Sequence, residues 1–525
     1  MKYLISKKQK EIFYFIFLFF FSILFNQHYG YLGINPIDIF SFNSGYDILH
    51  GYFPFKDYWT ITGPFLALTQ AIFFKIFSVS WFSYVLHASI FNFIITISAF
   101  YTLYKFRLNI HYCFLYAFLV SILAYPSAGT PYVDHHASYL SIISIFCFIL
   151  ALKTNSKIYW LILPIVLGIS FLSKQTPTGH FFLIIAFLSF IYFVFNFNIK
   201  KIIFGILGLI IIITIFLLTL LIAKIPLLSF FEQYILFPLS IGEDRLEFLF
   251  PLEFKRIILR FKLIHLSSLL LVIICIKRIM QSYKYIISNE FLIVLSLIFS
   301  SFALIAHQLM TINGLFIFFI IPILTGFSHI YYLRYFKNKN YILYLLIFLC
   351  VGSSIHYVNK YIHSRDFADL GKTNTKIAID AKVLDNKLSG LKWITPLYPN
   401  DPKKEISRLK EAINIIKNDA RNKSIITDYQ FISVILSTYD NSPSQVWFIN
   451  HILNQEENSK YFKIYKNFFI NKLKENKIEI VYIVKPLWGG DDVFEKGLNK
   501  NCIKKMKITE ILDSYLLQQC EELKN

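Results

Sequence analysis

Residues 202–223 read IIFGILGLIIIITIFLLTLLIA, an apolar run of 22 residues that contains no charged side chain. A helix needs roughly 20 apolar residues to cross a hydrocarbon layer about 30 Å thick, so this run predicts a membrane-spanning helix. Further apolar runs, some of them shorter, extend the pattern to a mainly α-helical, polytopic bundle of about eleven spans. The predicted spans are 10–26, 81–103, 109–125, 137–152, 157–173, 179–196, 202–223, 263–276, 288–306, 312–328 and 341–358.

The composition of the whole chain agrees with a membrane protein. Of its 525 residues, 56% are hydrophobic and 16% are charged, whereas soluble domains carry about 25% charged residues. These figures exclude an ordinary soluble enzyme, a disordered chain, collagen and a small disulfide scaffold. Residues 1–360 hold 26 Lys/Arg against 11 Asp/Glu, and residues 361–525 hold 26 against 21. We therefore predict a transmembrane domain over residues 1–358, a soluble domain over residues 359–525, and no nucleic-acid partner.

The tail 359–525 has the pattern of a small α/β domain. Residues 424–431 and 478–484 predict buried strands, and residues 403–417 and 459–477 predict helices. The tail contains no phosphate loop, nucleophile elbow or zinc pattern, so we expect a packing or acceptor-docking module. Its two cysteines, Cys502 and Cys520, can form a disulfide if the compartment is oxidising.

The distribution of basic residues predicts the orientation in the membrane. With the N-terminus in the cytoplasm, the predicted inner segments together hold 16 Lys/Arg, as the positive-inside rule requires. An odd number of spans then puts the tail outside. Of the acids in residues 1–360, all but Glu11 and Glu290 fall on the outer side, which predicts polar chemistry at that face. The long outer loops 27–80 and 224–262 mix aromatic, proline and charged residues and are expected to form partly interfacial helices.

The first outer loop holds a carboxylate close to the membrane. Asp38 ends the stretch Asn35-Pro-Ile-Asp38, after a polar, Gly- and Pro-containing segment that follows the first span. Charge close to lipid is unfavourable, so a carboxylate in this position is expected to have a structural or functional role. Two roles fit: a general base toward a hydroxyl group, or the N-cap of a short helix.

The residues that follow resemble a known family. The chain continues with Ile48-Leu-His-Gly51, Pro54-Phe-Lys-Asp57 and Gly63-Pro64, and later reads Gly168-Ile-Ser-Phe-Leu-Ser-Lys174-Gln175-Thr176. These motifs are similar to those of the polytopic GT-C glycosyltransferases, in particular the bacterial branch akin to the protein O-mannosyltransferases and the lipid A aminoarabinose transferase. The resemblance covers about residues 1–225. Many such proteins have an acid pair where this chain has Asp38-Ile39.

The resemblance implies an activity and a location. It implies an enzyme of the bacterial cytoplasmic membrane that transfers a hexose or pentose, with inversion, from a polyprenyl-phosphate donor to a hydroxyl group at the outer face. The acceptor it implies is a glycan, lipid or protein of the cell envelope, such as lipopolysaccharide or another surface glycan. No resident cofactor is expected. Asp38 is the base that the resemblance assigns. Asp134, at the outer start of a later span, is our candidate for a second catalytic carboxylate.

Cations near the outer face are candidates for holding the donor phosphate. Lys174 follows an apolar span and is our first choice, since an ammonium group is a compact point charge for phosphate. The alternative to phosphate binding is that the Lys174 side chain only extends along the apolar surface to place its charge at the membrane interface. Arg256 and Arg260 lie four residues apart and share a helix face, where they can assist the donor phosphate or contact lipid headgroups.

Polar residues of the other outer segments are expected to line the substrate cavity. Asp134, His135 and His136 open a span together; Asp134 can bind the acceptor, orient the base or cap the helix, and the imidazoles can line the cavity. A divalent metal held by these groups with Asp38 is the alternative. The remaining cavity candidates are Asp57, Gln175 and His307.

Two other classes of membrane protein compete with a glycosyltransferase. A transporter or flippase of lipid-linked sugars is expected to show repeats and broken helices around a midplane site, and this sequence shows neither. A polysaccharide polymerase or ligase is expected to carry its main loop between late spans, whereas the strongest motif here follows the first span.

Overall fold

A computed structural model describes residues 7–240, 247–250, 252–311, 315–336, 340–445, 460–490, 494–520 and 523. The chain is mainly α-helical, with a small mixed sheet near its C-terminal end. The predicted fold class, a polytopic helical bundle with an α/β domain, is confirmed.

Among these residues, ten helices are long and apolar enough to cross a membrane. They correspond to ten of the eleven predicted spans, and the remaining one is the shorter helix Lys157–Phe171 of 15 residues. The chain is thus a multi-pass membrane protein. The ten helices are Lys8–Gly30, Trp81–Lys105, Ile110–Ser127, Val133–Thr154, Gln175–Phe195, Ile199–Ala223, Lys262–Gln281, Asn289–Thr311, Ile317–Tyr335 and Tyr341–Ala368.

Several helix boundaries follow directly from local sequence. Asn109 accepts a hydrogen bond from the His111 amide and so caps the helix that begins at Ile110. Pro64 and Pro402 open the helices Pro64–Phe77 and Pro402–Asn418, because proline has no amide hydrogen to leave unpaired in a first turn. The other shorter helices of four residues or more are Phe40–Leu49, Leu227–Phe230, Ile432–Leu436 and Lys460–Glu475.

Compact packing divides the chain into two units. The first comprises residues 1–30, 85–217 and 245–367, and the second comprises residues 31–84, 218–244 and 368–525. Parts of both long outer loops therefore belong to the unit that contains most of the tail. The domain boundary that we place between residues 358 and 359 stays a prediction.

In the first unit, the helix Val133–Thr154 is almost completely buried. Small polar side chains allow its neighbours to approach closely: the Ser141 and Ser170 hydroxyls lie 2.9 Å apart, and the Ser170 and Thr178 hydroxyls lie 2.8 Å apart. Ser170 also donates to the Ala137 carbonyl at 2.8 Å. Such contacts are typical of helix packing within membranes.

In the second unit, the tail forms a four-stranded sheet in the order β3-β4-β6-β5, and a separate two-stranded sheet pairs β1 with β2. Strand β3 pairs parallel to β4, while β4–β6 and β5–β6 pair antiparallel. The strands are β1 Ile379–Asp380, β2 Lys392–Trp393, β3 Lys423–Thr427, β4 Ile480–Val484, β5 Ile503–Lys507 and β6 Leu512–Leu517.

The tail elements agree with the predicted pattern. The strand predicted at 478–484 corresponds to β4, and the two predicted helices correspond to Pro402–Asn418 and Lys460–Glu475; residue 459 lies outside the described residues. The strand predicted at 424–431 corresponds to β3 but ends at Thr427, because residues 428–431 form tight turns. The helix Lys460–Glu475 packs on the sheet through Tyr465 and Phe469. Trp59 of the first outer loop and Phe237 of the second belong to the same buried cluster.

The predicted disulfide is confirmed. Cys502 and Cys520, which are 18 positions apart in sequence, are bonded, with their α-carbons 5.3 Å apart. The bond joins the start of β5 to the segment after β6, next to the hydrogen bond from the Gln518 amide to the Cys502 carbonyl. The disulfide therefore ties the edge strand β5 covalently to its neighbour β6.

Replacing both cysteines by serine is expected to lower the free energy of unfolding of the tail by about 3 kcal/mol, the chain-entropy value for a loop of this length. This difference is measured by unfolding the full-length protein in denaturant, with protease cleavage of the tail as the readout of the unfolded fraction. Cys275→Ser removes a thiol from a membrane helix and serves as the control. Equal protease resistance of the double variant and the parent would contradict the expectation.

Candidate functional site

Three polar side chains of the first unit meet at one carboxylate oxygen. Lys174 Nζ donates to Asp134 Oδ1 at 2.6 Å, and His307 Nε2 lies 2.8 Å from the same oxygen. The Asp134 side chain is 1% exposed and the His307 side chain is fully buried, while the Lys174 side chain remains 15% exposed. The structure thus brings together two residues predicted as site residues and a third that the sequence marked at an outer span end.

Each member of this cluster is positioned by the end of a helix. Asp134 lies in the first turn of Val133–Thr154. Lys174 is extended and directly precedes Gln175–Phe195, whose second residue, Thr176, is also extended before Pro177. His307 lies in the last turns of Asn289–Thr311. In the predicted topology, all three helix ends belong to the outer face.

The loop that leads into Asp134 is held by buried polar contacts. Arg365 is 1% exposed and donates to the carbonyls of Pro126, Ser127 and Ala128 at 2.9–3.4 Å. Gly129 has φ +78°, and a β-carbon on Gly30 would lie 2.5 Å from its carbonyl oxygen, so both positions require glycine. The conformation of this loop is therefore closely determined.

The two histidines after Asp134 lie in a buried network. His135 Nε2 lies 2.8 Å from the Ser127 hydroxyl, and its ring stacks on Phe316. His136 Nε2 lies 3.1 Å from His87 Nε2, and its other ring nitrogen contacts the Tyr125 hydroxyl. From these contacts we infer that His135 and His136 stabilise the loop and the start of the helix. Their predicted place in a substrate cavity stays a prediction.

Asp38 belongs to the second unit. It lies on the short helical turn Pro36–Ile39, where its amide donates to the Asn35 carbonyl at 3.0 Å. Its side chain is half-buried. The N-cap positions of this turn and of the following helix Phe40–Leu49 are Asn35 and Ile39, so Asp38 occupies neither of them. Asn35 is held in turn by a hydrogen bond from its side-chain amide to Asp369 at 3.1 Å.

The remaining predicted residues have separate surroundings. Asp57 accepts from the Phe53 amide at 2.7 Å and thereby closes a turn. Gln175 begins the helix after Lys174 and is half-buried. Arg256 donates to the Phe248 carbonyl, and Arg260 is exposed with its guanidinium 5.9 Å from the Phe261 ring centre. The roles that we predict for these four residues stay predictions.

The described residues contain no group of three or more His, Cys, Asp or Glu side chains arranged to hold a metal ion. At Asp134 the nearest charged partner is an ammonium group, and His135 and His136 are directed at hydroxyl groups and at His87. The divalent metal that we considered as an alternative stays a prediction.

A second buried cluster, which the sequence did not indicate, lies in the second unit. The Asn43 side-chain amide donates to Asp47 Oδ2 at 3.4 Å and to Asp440 Oδ2 at 3.1 Å. Gln445 also donates to Asp47, and the Ser442 amide donates to Asp440 at 3.1 Å. Asp47 is fully buried and Asp440 is 7% exposed. The cluster fastens the first outer loop to the tail.

The two carboxyl groups of this cluster share one environment. Burial raises the pKa of Asp47 well above its usual range, and the charge of Asp440 raises it further. Burial also raises the pKa of Asp440, against hydrogen bonds that favour its charged form. The native protein consequently retains protons that the unfolded chain releases, and the free energy of unfolding falls as the pH rises above the usual carboxyl range.

Asp47→Asn is expected to reduce this dependence on pH. The asparagine oxygen can still accept from Gln445 and Asn43, and no charge is buried when the pH rises. The variant should gain roughly 1–3 kcal/mol relative to the parent at pH 8 and little at pH 4, because one pKa unit corresponds to 1.36 kcal/mol. Thermal unfolding at both values measures the gain. Glu411→Gln, at an exposed helical site, is the control, and an equal gain at both pH values would contradict the expectation.

Three buried residues of these clusters escaped prediction: Asp47, Asp440 and Arg365. Asp47 directly precedes the motif Ile48-Leu-His-Gly51, and its acidic character between Tyr46 and Ile48 was the available signal. Arg365 follows the last span and resembles an ordinary interfacial arginine in sequence.

Comparisons with known proteins find similarity to solved structures alone. No protein-family model matches the chain, and no curated protein sequence matches it. Two crystal structures of the Archaeoglobus fulgidus oligosaccharyltransferase do match. Its complex with zinc and sulfate has a TM-score of 0.41 and 13% identity, covering 89% of this chain and 68% of that chain. Its apo form has a TM-score of 0.42 and 11% identity, covering 90% and 69%.

Proposed function

We propose that this chain is an integral membrane glycosyltransferase that moves a sugar from a polyprenyl-phosphate donor to an acceptor hydroxyl at the outer face of a bacterial cytoplasmic membrane. The observation that carries the proposal is the ion pair of Lys174 with buried Asp134. It holds an ammonium group at a helix end, in partial contact with the surroundings. A polyprenyl phosphate places its charge at the headgroup level, where such a cation can meet it.

The proposed reaction is an inverting displacement. The acceptor O–H bond breaks and its proton passes to the Asp38 carboxylate, while the acceptor oxygen bonds to the anomeric carbon. The bond between that carbon and the phosphate oxygen breaks, and its electron pair leaves with the phosphate. A dissociating phosphate ester gains negative charge on the departing oxygen, so it needs electrostatic stabilisation more than an acid. Lys174 is the residue that we assign to this task.

Asp134 and His307 are proposed to position Lys174. The Asp134 oxygen at 2.6 Å fixes the ammonium group, and His307 at 2.8 Å from the same oxygen fixes the carboxylate. Both supports are buried, so their geometry is established before any substrate binds. Asp134 is engaged with its two neighbours, which favours Asp38 as the base. Arg256 and Arg260 are proposed as secondary contacts of the lipid phosphate.

Reconstitution tests the activity. The purified chain, placed in liposomes with radiolabelled polyprenyl-phosphate hexose or pentose and a cell-envelope glycolipid extract, should yield a labelled acceptor and free polyprenyl phosphate. The product linkage should have the opposite anomeric configuration from the donor. Donor that crosses the bilayer unchanged would favour a flippase, and growth of a donor-linked chain would favour a polymerase. Either result would contradict the proposal.

The proposed outer-face chemistry depends on the orientation of the chain. We expect the N-terminus and the segment after Phe336 in the cytoplasm and the segment after Arg365 outside. Alkaline phosphatase fused after Phe336 should therefore be inactive, and the same enzyme fused after Arg365 should be active. Inactive phosphatase at both positions would place the tail in the cytoplasm and would contradict the proposed chemistry at the outer face.

A further inference from the structure

Among the tryptophans that the structure describes, Trp488 differs from the others in exposure. Of the five tryptophans that the structure describes, Trp59, Trp81, Trp160 and Trp393 are at most 4% exposed, whereas Trp488 is 52% exposed. Trp488 lies in the soluble tail, four residues beyond β4, and not in a membrane helix. An exposed indole ring on a soluble domain offers a flat apolar face to a ligand.

Trp488 lies where two parallel strands end. Thr427, the last residue of β3, pairs with Val484, the last residue of β4. Residues directly after the two strands are therefore neighbours: the Trp488 amide donates to Asp428 Oδ2 at 2.6 Å. The carboxyl ends of parallel strands are a common location for ligand sites in α/β domains.

Buried polar groups surround this end of the sheet. Lys485 follows β4, and its ammonium group lies 3.2 Å from Asp513 Oδ2 at the start of β6. Gln430 follows β3 and donates through its amide to the carbonyls of Thr427 and Gln445, at 2.8 and 2.7 Å. The carboxyl ends of β3 and β4 and the start of β6 thus contribute polar side chains to the same end of the sheet as Trp488.

Among the described residues, two acceptor atoms of this group have no hydrogen-bond donor. Asp513 is 3% exposed and Gln430 is 5% exposed. Within the described part of the chain, Asp513 Oδ1 and Gln430 Oε1 are buried and accept no hydrogen bond. Buried acceptors without a partner are rare, because leaving one unsatisfied is unfavourable by about 1–3 kcal/mol. A ligand that supplies hydroxyl donors would satisfy them.

We propose that the carboxyl end of β3 and β4 is a binding site for an uncharged glycan, with Trp488 as its stacking platform. A sugar ring presents C–H groups on one face, which pack on an indole ring, and hydroxyl donors around its rim. Asp513 and Gln430 accept from these hydroxyls, and Lys485 donates to ring or hydroxyl oxygens. The carboxylates of Asp428 and Asp513 disfavour an anionic ligand, which is why the proposal specifies an uncharged sugar.

This inference goes beyond the proposed transfer reaction, because glycan binding at the tail needs neither donor lipid nor catalysis. The experiment uses the full-length protein in detergent and four neutral probes: maltohexaose, cellohexaose, mannohexaose and chitohexaose. Saturation-transfer NMR and microcalorimetry measure their binding. At least one hexasaccharide should bind, and Trp488→Ala should weaken that binding at least 10-fold, while Trp488→Phe should retain part of it.

Met506→Ala is the matched control. Met506 is 40% exposed and lies on β5, at the other edge of the same sheet, so its loss should leave binding unchanged. Equal melting temperatures of the three variants show that the tail remains folded. Failure of all four sugars to bind would overturn the proposal. Equal binding by Trp488→Ala, or binding of a neutral Ala-Ser peptide in preference to sugars, would also overturn it.

Since these measurements contain no donor, their result is independent of the transfer assay. A protein that binds the glycan but transfers nothing would contradict the proposed function alone. A protein that transfers sugar but binds no hexasaccharide would contradict the tail site alone.

Discussion

Asp38→Asn is expected to lower the rate of sugar transfer by about 10²–10⁴-fold while the protein keeps its fold. Asparagine has the shape of aspartate but cannot take the proton of the attacking hydroxyl. The half-buried position of Asp38 on the turn Pro36–Ile39 tolerates an uncharged side chain of equal size. Donor binding should change little, because the donor phosphate is assigned to Lys174.

The transfer rate of the reconstituted variant, at saturating donor and acceptor, measures this effect. Asp134→Asn provides the decisive comparison, since it replaces the other predicted catalytic carboxylate. Glu411→Gln in the tail controls for the general effect of removing a charge. Normal turnover by Asp38→Asn together with an inactive Asp134→Asn would transfer the role of base to Asp134.

Lys174→Ala is expected to lower kcat/KM for the donor by about 10²–10³-fold, the range found when a single group that stabilises transition-state charge is removed. The same change leaves the buried Asp134 carboxylate without its ammonium partner. Breaking a buried pair in this way is destabilising by about 3–5 kcal/mol. Both effects have one cause, the loss of the ammonium group at 2.6 Å from Asp134.

A double variant separates the two effects. Lys174→Ala with Asp134→Asn removes the unpaired charge, so its melting temperature should recover toward that of the parent while donor use stays impaired. Lys174→Arg keeps a charge but changes its geometry and should retain part of the activity. Donor titration in proteoliposomes measures the loss. An unchanged apparent donor affinity and rate in folded Lys174→Ala would exclude Lys174 from the phosphate site.

The membrane helices were predictable because a spanning segment is specified by local composition. Apolar length alone identified the ten long helices. The segment 157–173 forms a shorter helix, Lys157–Phe171, because the chain turns after Phe171 and is extended at Lys174. In the tail, β4 was predictable from its continuous apolar run IVYIV, and β3, which reads KSIIT, from the buried character expected for its two isoleucines. The exposed strand β5, which reads IKKMK, lacks such a run and has no comparable local signal.

The candidate site was predictable only in part, because its contacts join distant positions. The sequence marked Asp134 and Lys174 separately, but they are 40 positions apart and no local pattern indicates that their side chains meet. Asn43 and Asp440 are 397 positions apart, and a single sequence does not reveal such a pairing. Local patterns do show which polar residues lie at the ends of the helices.

The grouping of the first outer loop with the tail has a consequence for the biosynthesis of the protein. Trp59 is 2% exposed and packs against Tyr465 with ring centres 5.2 Å apart, although about 400 residues separate the two in sequence. At a synthesis rate of about 5–20 residues per second, Trp59 leaves the ribosome roughly 20–80 s before its partner exists. During that interval the loop must keep its apolar side chains in the lipid interface or under a chaperone. Premature termination within the tail would therefore leave a membrane-inserted protein in which Trp59 and its apolar neighbours are uncovered, and quality-control proteases can recognise such exposed apolar side chains.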